Sequence, residues 1–131
     1  MEAPVKNATT VTAIVPQFLV DDLNRAVAYY RDRLGFDLDF VYDSFYASVS
    51  RDGFAIHLKE APRFAGEREF KKQQEHLDAH VSVSGVRELF SELQSRGAAV
   101  IKPLQQQPWS CIDFYVEDPD GYVLCFSELI E

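Results

Sequence analysis

An internal repeat is the feature that most constrains the fold of this chain of 131 residues. Residues 52–60 read DGFAIHLKE and residues 120–128 read DGYVLCFSE. Both segments begin with Asp-Gly, continue with an aromatic and two apolar residues, and end in Glu. The same order of predicted elements also surrounds each segment. The sequence therefore predicts two copies of one structural module.

Each half of the chain contains one predicted helix. Leu23, Val27, Tyr30 and Leu34 recur at helical spacing after a capping residue, Asp21 or Asp22, and Gly35 ends the helix. In the second half, Ser84 or Gly85 opens a helix whose apolar face contains Val86, Leu89, Phe90 and Leu93, and Gly97 closes it.

Short apolar runs bounded by turn residues predict a strand before each helix and three strands after it. The predicted strands are 13–20, 36–42, 45–50 and 54–59 in the first half, and 80–84, 98–102, 112–117 and 122–127 in the second. Pro16 removes one ladder donor, which favours an edge position or a bulge for the first strand. We expect one domain over 1–131: a strand-helix-strand-strand-strand module at about 13–60, a charged connector at 61–76, and a second module at about 77–129.

Composition excludes several classes of function. The net charge of −8 opposes binding to nucleic-acid phosphates and to anionic membranes. No run approaches the roughly 18 apolar residues of a membrane span, and residues 1–10 lack the apolar stretch of a signal peptide. We expect a cytoplasmic protein in which Cys111 and Cys125 are reduced thiols.

Two motifs resemble the vicinal oxygen chelate superfamily, which includes glyoxalases, bleomycin-resistance proteins, fosfomycin-modifying enzymes and extradiol dioxygenases. Residues 20–36 (VDDLNRAVAYYRDRLGF) resemble its opening signature, and residues 108–109 (PW) with 114–122 (FYVEDPDGY) resemble its closing signature. The similarity covers about residues 13–129. It implies an α+β fold of two tandem βαβββ modules whose curved mixed sheets surround a cavity, and a homodimer.

Metal-using members of that family present His or Glu at four strand positions that face the cavity. The resemblance places these positions at Val15 and His80 in the first strands, and at His57 and Cys125 in the last strands. Val15 has no donor atom. Strand alternation sets His57 on the face opposite Ile56 and its apolar neighbours, and Cys125 on the face opposite Leu124.

Three interpretations of these side chains remain open at this point. His57, His80 and Cys125 form a mononuclear site, since Zn²⁺ accepts nitrogen and sulfur together. Alternatively, they line a pocket or hydrogen-bond a ligand without any metal or other cofactor. In the third interpretation, the thiol and a histidine form a Cys/His nucleophile pair, which requires an imidazole within hydrogen-bond reach of the thiol. The symmetry-related Glu60 and Glu128 are interpreted as ordinary surface carboxylates.

Without a metal, the resemblance points to the bleomycin-resistance branch, whose members bind and sequester a drug. Such a site needs aromatic surface for stacking and groups that attract a cation. Trp109, in a predicted Gln/Pro-rich loop that includes 105–108, either stacks on the ligand or anchors the loop to the core. Asp113 either lines the pocket or faces solvent. The other ligand-binding candidates are Gln17, Tyr46, His57, His80 and Cys125.

The resemblance thus favours a metal-free small-molecule-binding protein and implies a cationic or aromatic ligand and a role in antibiotic resistance. The alternative is a metal-dependent, glyoxalase-like lyase that uses His57, His80 and possibly Cys125, in which the ion polarises a substrate oxygen. A third interpretation is a scaffold with a reduced pocket, in which the aromatic side chains fill the cavity as core.

Overall fold

A computed structural model describes residues 12–61, 69 and 77–130. Most of the predicted connector, 61–76, lies outside the described residues. The elements of module one are β1 (Gln17–Val20), α1 (Leu23–Ala28) with a π-helical continuation (Tyr29–Arg33), β2 (Asp37–Tyr42), β3 (Tyr46–Arg51) and β4 (Phe54–Glu60). Those of module two are β5 (Ala79–Ser82), α2 (Val86–Arg96), β6 (Ala99–Gln107), β7 (Cys111–Glu117) and β8 (Val123–Leu129).

The two modules share one topology. Each forms a four-stranded sheet, with the order β1-β4-β3-β2 in sheet one and β5-β8-β7-β6 in sheet two. The first and last strands of each module pair in parallel, and the other pairs are antiparallel. The sheets are mixed, curved and open. This confirms the predicted α+β fold of two βαβββ modules.

Prolines account for the largest differences between predicted and observed strands. β1 begins only after Pro16, at the edge of its sheet, and the Pro16 carbonyl accepts a hydrogen bond from His57 N at 2.9 Å. β6 continues past Pro103 to Gln107, so the prediction of a loop at 105–107 was wrong. The register shifts between Lys102 and Gln105, which leaves the missing N–H of Pro103 outside the regular ladder.

The helices begin and end where the sequence predicts. The Asp22 side chain accepts a hydrogen bond from Arg25 N at 3.0 Å, which satisfies a free donor of the first turn. The predicted apolar positions of α1 and its continuation are buried, and Gly35 follows with a φ of +73°. No helix in the described part of the chain has the length and apolar character needed to cross a bilayer.

Glu60 and Glu128 have a structural role that their interpretation as surface carboxylates missed. Glu60 Oε2 accepts from Leu23 N at 2.8 Å, at the start of α1. Glu128 Oε1 accepts from Val86 N at 3.0 Å and Gly85 N at 3.1 Å, at the start of α2. These backbone donors lower the pKa of Glu128. The final Glu of each repeat therefore joins the last strand of its module to the start of its helix.

One hydrophobic core contains residues from both modules. It lies on the faces of the sheets that carry the helices. From the strands of module one it takes Phe18, Val20, Ala47, Val49, Ile56 and Leu58; from those of module two it takes Phe114, Val116, Leu124 and Phe126. Burial of this shared apolar surface holds the modules together.

Two tyrosines, Tyr29 and Tyr122, cross the junction between the modules. The Tyr29 hydroxyl donates to the Glu117 carbonyl at 2.8 Å and accepts from Ala99 N at 2.9 Å. Tyr122 stacks on Phe18 with ring centroids 4.3 Å apart, and its hydroxyl accepts from Leu19 N at 2.8 Å. These rings therefore combine apolar burial with backbone hydrogen bonds between modules.

An ion-pair cluster joins the modules at another point. Arg51 donates to both oxygens of Glu92, at 2.8 and 2.9 Å, and Arg96 Nε donates to Glu92 at 2.9 Å. Hydrogen bonds from Arg51 above all lower the pKa of Glu92 to about 2. Gly35 leaves room for this cluster, because a Cβ there would lie 2.6 Å from Arg51 Nη1.

Tyr30 completes the junction by binding a buried acid. Its hydroxyl donates to Asp118 Oδ2 at 2.8 Å, while Asp118 Oδ1 accepts from Asp120 N and Tyr122 N. Asp118 is only 2% exposed. Burial, which disfavours the charged form, raises its pKa to about 6 from an ordinary value of 3.8.

This raised pKa predicts that Asp118 makes the free energy of unfolding depend on pH. The native state holds the proton more tightly than the unfolded state, so stability from this group falls as the pH rises from about 4 to 6. Above about pH 6, the contribution of Asp118 to the free energy of unfolding stays constant. The difference corresponds to about 3 kcal/mol, at 1.36 kcal/mol for each pKa unit. Urea unfolding of the wild type and Asp118→Asn at several pH values measures it.

The asparagine keeps an acceptor oxygen for the backbone and lacks the ionisation. The free energy of unfolding of wild type minus variant should therefore fall between pH 4 and 6. Asp52→Asn, at a side chain that is 90% exposed, is the matched control for the loss of one carboxylate. A constant difference for Asp118→Asn across this range would contradict the raised pKa.

Candidate functional site

The candidate residues lie on the outer faces of the sheets, opposite the helices. Strand register places Gln17, His57, Ser48 and Phe40 side by side across sheet one. The matching row across sheet two is His80, Cys125, Tyr115 and Lys102. Gln17 therefore occupies the position in module one that His80 occupies in module two. The alignment of Val15 with His80 was wrong, because Val15 lies two residues earlier and outside β1.

Three polar side chains on sheet one form a hydrogen-bonded chain. Gln17 Nε2 donates to the Tyr46 hydroxyl at 3.0 Å, and that hydroxyl lies 2.8 Å from His57 Nδ1. Gln17 is exposed, whereas Tyr46 and His57 are half-buried. The three sequence candidates of module one are thus brought together, and their amide, phenol and imidazole groups form the polar centre of the face.

Aromatic rings surround this chain in edge-to-face contact. His57 lies 5.3 Å from Tyr46 and 5.9 Å from Phe40, measured between ring centroids. Tyr46 contacts Phe45 at 6.2 Å, and Phe45 contacts Tyr42 at 5.9 Å. Phe40 is 46% exposed, and Tyr42 and Phe45 are exposed as well. We call these five residues the aromatic row; it offers stacking surface beside hydrogen-bonding groups.

A carboxylate at the edge of the aromatic row was missed by the sequence reasoning. Asp39 accepts from Ser50 Oγ at 2.7 Å and from Ser48 Oγ at 2.9 Å. The alternation of Ser48 and Ser50 with buried Ala47 and Val49 is a signal that puts the two hydroxyls on the outer face. The irregularity between Leu38 and Phe40, where Asp39 lies, had no such signal.

The outer face of sheet two contains a buried thiol and a buried carboxylate. Asp113 is buried and accepts from Gln107 Nε2 at 3.0 Å. It therefore does not face solvent. Burial first, and then the nearby Asp113 charge, raise the pKa of Cys125 to about 11. Cys125 is a protonated thiol at neutral pH, which disfavours it as a nucleophile. Cys125 and Cys111 are both free cysteines.

The other two candidates of module two are exposed. His80 lies on the edge strand β5, next to Cys125 in the register. Trp109 is 63% exposed in the turn between β6 and β7. The interpretation of Trp109 as an anchor packed on the core was therefore wrong, and its indole is accessible to a ligand.

The candidates of the two modules do not meet within one chain. The shared core lies between the helix-bearing faces, so the two outer faces are on opposite sides of it. Consistent with this, the residues of 12–61, 69 and 77–130 contain no group of three or more His, Cys, Asp or Glu placed to hold a metal ion. The metal set of His57, His80 and Cys125 is not assembled in the single chain.

A depression of about 310 Å³ lies on the helix side and contains none of these candidates. Its lining residues are Arg25, Ala28, Tyr29, Asp32, Arg33 and Pro119. Its charged groups are engaged in the structure: Asp32 pairs with Arg31, Arg33 donates to the Arg96 carbonyl, and Arg25 lies 3.5 Å from Asp120. We assign this depression to the module junction and not to the functional site.

Similarity to known proteins extends over most of the chain. The family model described as Glyoxalase/Bleomycin resistance protein/Dioxygenase superfamily matches residues 11–126. A bleomycin resistance protein of Geobacillus stearothermophilus is 25% identical, over 89% of this chain and 96% of its own length.

Solved structures share the architecture at lower identity. The bleomycin-binding protein of Streptomyces verticillus, complexed with copper(II)-bleomycin, has a TM-score of 0.67 and 21% identity, covering 94% of this chain and 98% of its own. A glyoxalase-related enzyme of Clostridium phytofermentans has a TM-score of 0.75 and 19% identity, covering 95% and 100%. Topology, motifs and the family match agree, and the chain belongs to the glyoxalase/bleomycin resistance protein/dioxygenase superfamily.

Proposed function

We propose that this protein binds a small aromatic or cationic molecule, without a metal, on the aromatic row of sheet one. The observation that supports this most is the exposure of the row itself: Phe40, Tyr42 and Phe45 remain open to solvent around the Gln17–Tyr46–His57 chain. Monomeric soluble proteins rarely leave contiguous apolar patches uncovered unless they bind something.

Electrostatics favour a ligand that carries positive charge. The net charge of −8 attracts cations to the protein at long range. At short range, Asp39 adds a carboxylate at the edge of the row, and the ring faces attract a cation by their quadrupoles. The relatives add support of another kind, because several are named as bleomycin resistance proteins. Bleomycin, which is cationic and partly aromatic, is therefore the first ligand to test.

Sequestration in the cytoplasm would be the biological role. The free thiols of Cys111 and Cys125 suit a reducing compartment. A binding protein that removes an antibiotic from solution confers resistance by mass action and needs no catalytic group.

The aromatic row predicts the effect of two substitutions on ligand binding. Phe40→Ala removes a ring that contacts His57, and we expect the dissociation constant for bleomycin to rise about 10-fold, as loss of one stacking contact and its buried area implies. Phe54→Ala is the matched control, because Phe54 is 79% exposed on the same sheet but outside the row. Titration calorimetry with both variants measures the two constants.

Equal affinity in Phe40→Ala and Phe54→Ala would contradict a site on the aromatic row. If bleomycin does not bind, a panel of cationic aromatic compounds, titrated by calorimetry into the wild type and the same two variants, extends the comparison. Failure of the whole panel would contradict the proposed function.

Metal independence is a separate prediction that distinguishes this proposal from the lyase alternative. His57 Nδ1 is engaged by Tyr46, and the Cys125 thiol is buried and protonated. We therefore expect titration of chelator-stripped protein with Ni²⁺, Zn²⁺ or Mn²⁺ to give the same heats as for a His57→Ala/His80→Ala double variant. Tight one-to-one binding that the double variant loses would favour the metal-dependent lyase instead.

A homodimer is the assembly that we propose for this site. β2 is an edge strand with exposed apolar residues on both faces: Leu38 and Val41 on one, Phe40 and Tyr42 on the other. Such an edge is a template for association. A second copy that covers β2 with the outer face of its sheet two would close the aromatic row into a pocket.

The dimer predicts a particle mass of twice 14.9 kDa in sedimentation equilibrium. Tyr42→Asp places a charge on the face of β2 that the second copy would cover, so we expect it to shift the mass to that of one chain. Phe54→Asp, outside the interface, should remain dimeric. A wild-type mass of 14.9 kDa, or dissociation by both variants equally, would contradict an interface at β2.

A further inference from the structure

We infer that Gln17, acting through Tyr46, fixes His57 as a hydrogen-bond donor, so that the site on sheet one takes ligands that present an acceptor atom. The inference rests on the proposed function, because it names the ligand chemistry of the same face. It starts from two distances: 3.0 Å from Gln17 Nε2 to the Tyr46 hydroxyl, and 2.8 Å from that hydroxyl to His57 Nδ1.

The single proton of the Tyr46 phenol determines the direction of this chain. The phenol oxygen accepts a hydrogen bond from the Gln17 amide nitrogen, which has hydrogens and no acceptor capacity. The hydroxyl proton is then available to donate to His57 Nδ1. A ring nitrogen that accepts must carry a lone pair, so in the neutral imidazole the hydrogen is on Nε2.

A reversed arrangement of the same three side chains would have the opposite chemistry. If Gln17 turned its oxygen toward Tyr46, the hydroxyl would donate to Gln17 and accept from Nδ1–H of His57. Nε2 would then carry the lone pair and offer the ligand an acceptor or a metal-ligating atom. The orientation of one exposed amide thus selects between two kinds of ligand, and the nitrogen faces Tyr46 in this structure.

His57 Nε2–H is available to a bound molecule. Within the described part of the chain, the Tyr46 hydroxyl is the one side-chain hydrogen-bond partner of the imidazole, and it binds Nδ1. The ring lies between the edge contacts of Phe40 and Tyr46, in the middle of the aromatic row. A donor in the middle of a stacking surface suits an aromatic ligand with a carbonyl, amide or ether oxygen at its edge. Gln17 is then a positioning residue for His57.

The test is the tautomer of His57 in the ligand-free protein. Long-range ¹H–¹⁵N correlation of ¹⁵N-labelled protein in alkaline buffer reports which ring nitrogen of the neutral imidazole is protonated. We expect a protonated Nε2 in the wild type. Gln17→Glu introduces a carboxylate that can only accept, so Tyr46 must donate to it and accept from Nδ1–H. The tautomer should reverse.

Two further variants show whether the effect passes along the chain. Tyr46→Phe removes the relay, and the ring should become a mixture of tautomers. Ser48→Ala is the matched control, because Ser48 adjoins His57 in the register but its hydroxyl binds Asp39, and it should keep the wild-type tautomer. A protonated Nδ1 in the wild type, or no change in Gln17→Glu, would overturn the inference.

The ligand class is tested with two aromatic fragments that differ in one acceptor group. Acetophenone has a carbonyl oxygen where ethylbenzene has a methylene group. At equal concentration, we expect acetophenone to shift the His57 Nε2 resonance several-fold more than ethylbenzene. Equal shifts, including no shift from either, would overturn the assignment of an acceptor-bearing ligand. The tautomer result is obtained without any ligand, so it stands apart from the proposed function.

Discussion

The shared core between the two helix-bearing faces is the constraint on which the rest of the structure depends. Each module has one sheet face covered by its own helix, and the two covered faces meet in one apolar cluster that contains Leu58 and Leu124. The opposite faces are consequently turned away from each other. The same burial that stabilises the fold therefore leaves two outer sheet faces on opposite sides of the core. In the part of the chain that the structure describes, their His, Cys, Asp and Glu side chains form no group of three placed to hold a metal ion.

The signature motifs of the family contribute mainly to this junction, and the exposed Trp109 of the closing motif is an exception. Tyr29, Tyr30, Asp118 and Tyr122 belong to the two motifs, and all four make hydrogen bonds between or within the modules at their contact. A sequence match through these residues establishes the scaffold. Relatives can therefore share the fold while their outer faces differ, which is why function has to be argued from the site.

The fold was predictable from the sequence because hydrophobic periodicity and turn residues are local properties of the chain. Alternation along β4 separated buried Ile56 from half-buried His57, and Asp-Gly turns marked the start of each last strand. Register is a property of two strands, and it required the structure to show that Gln17, and not Val15, matches His80. Exposure of Trp109 and the helix contacts of Glu60 and Glu128 also depend on distant partners.

Alternation along single strands has a consequence for how this family diverges. Side chains on the inner and outer faces of β4 and β8 alternate residue by residue. A substitution on the outer face therefore leaves the neighbouring core residue unchanged. Duplication then supplies two such faces with the same strand order, whose central positions here differ as His57 and Cys125. His57 is half-buried whereas Cys125 is buried, so a substitution at the centre of sheet two disturbs packing more than one at the centre of sheet one.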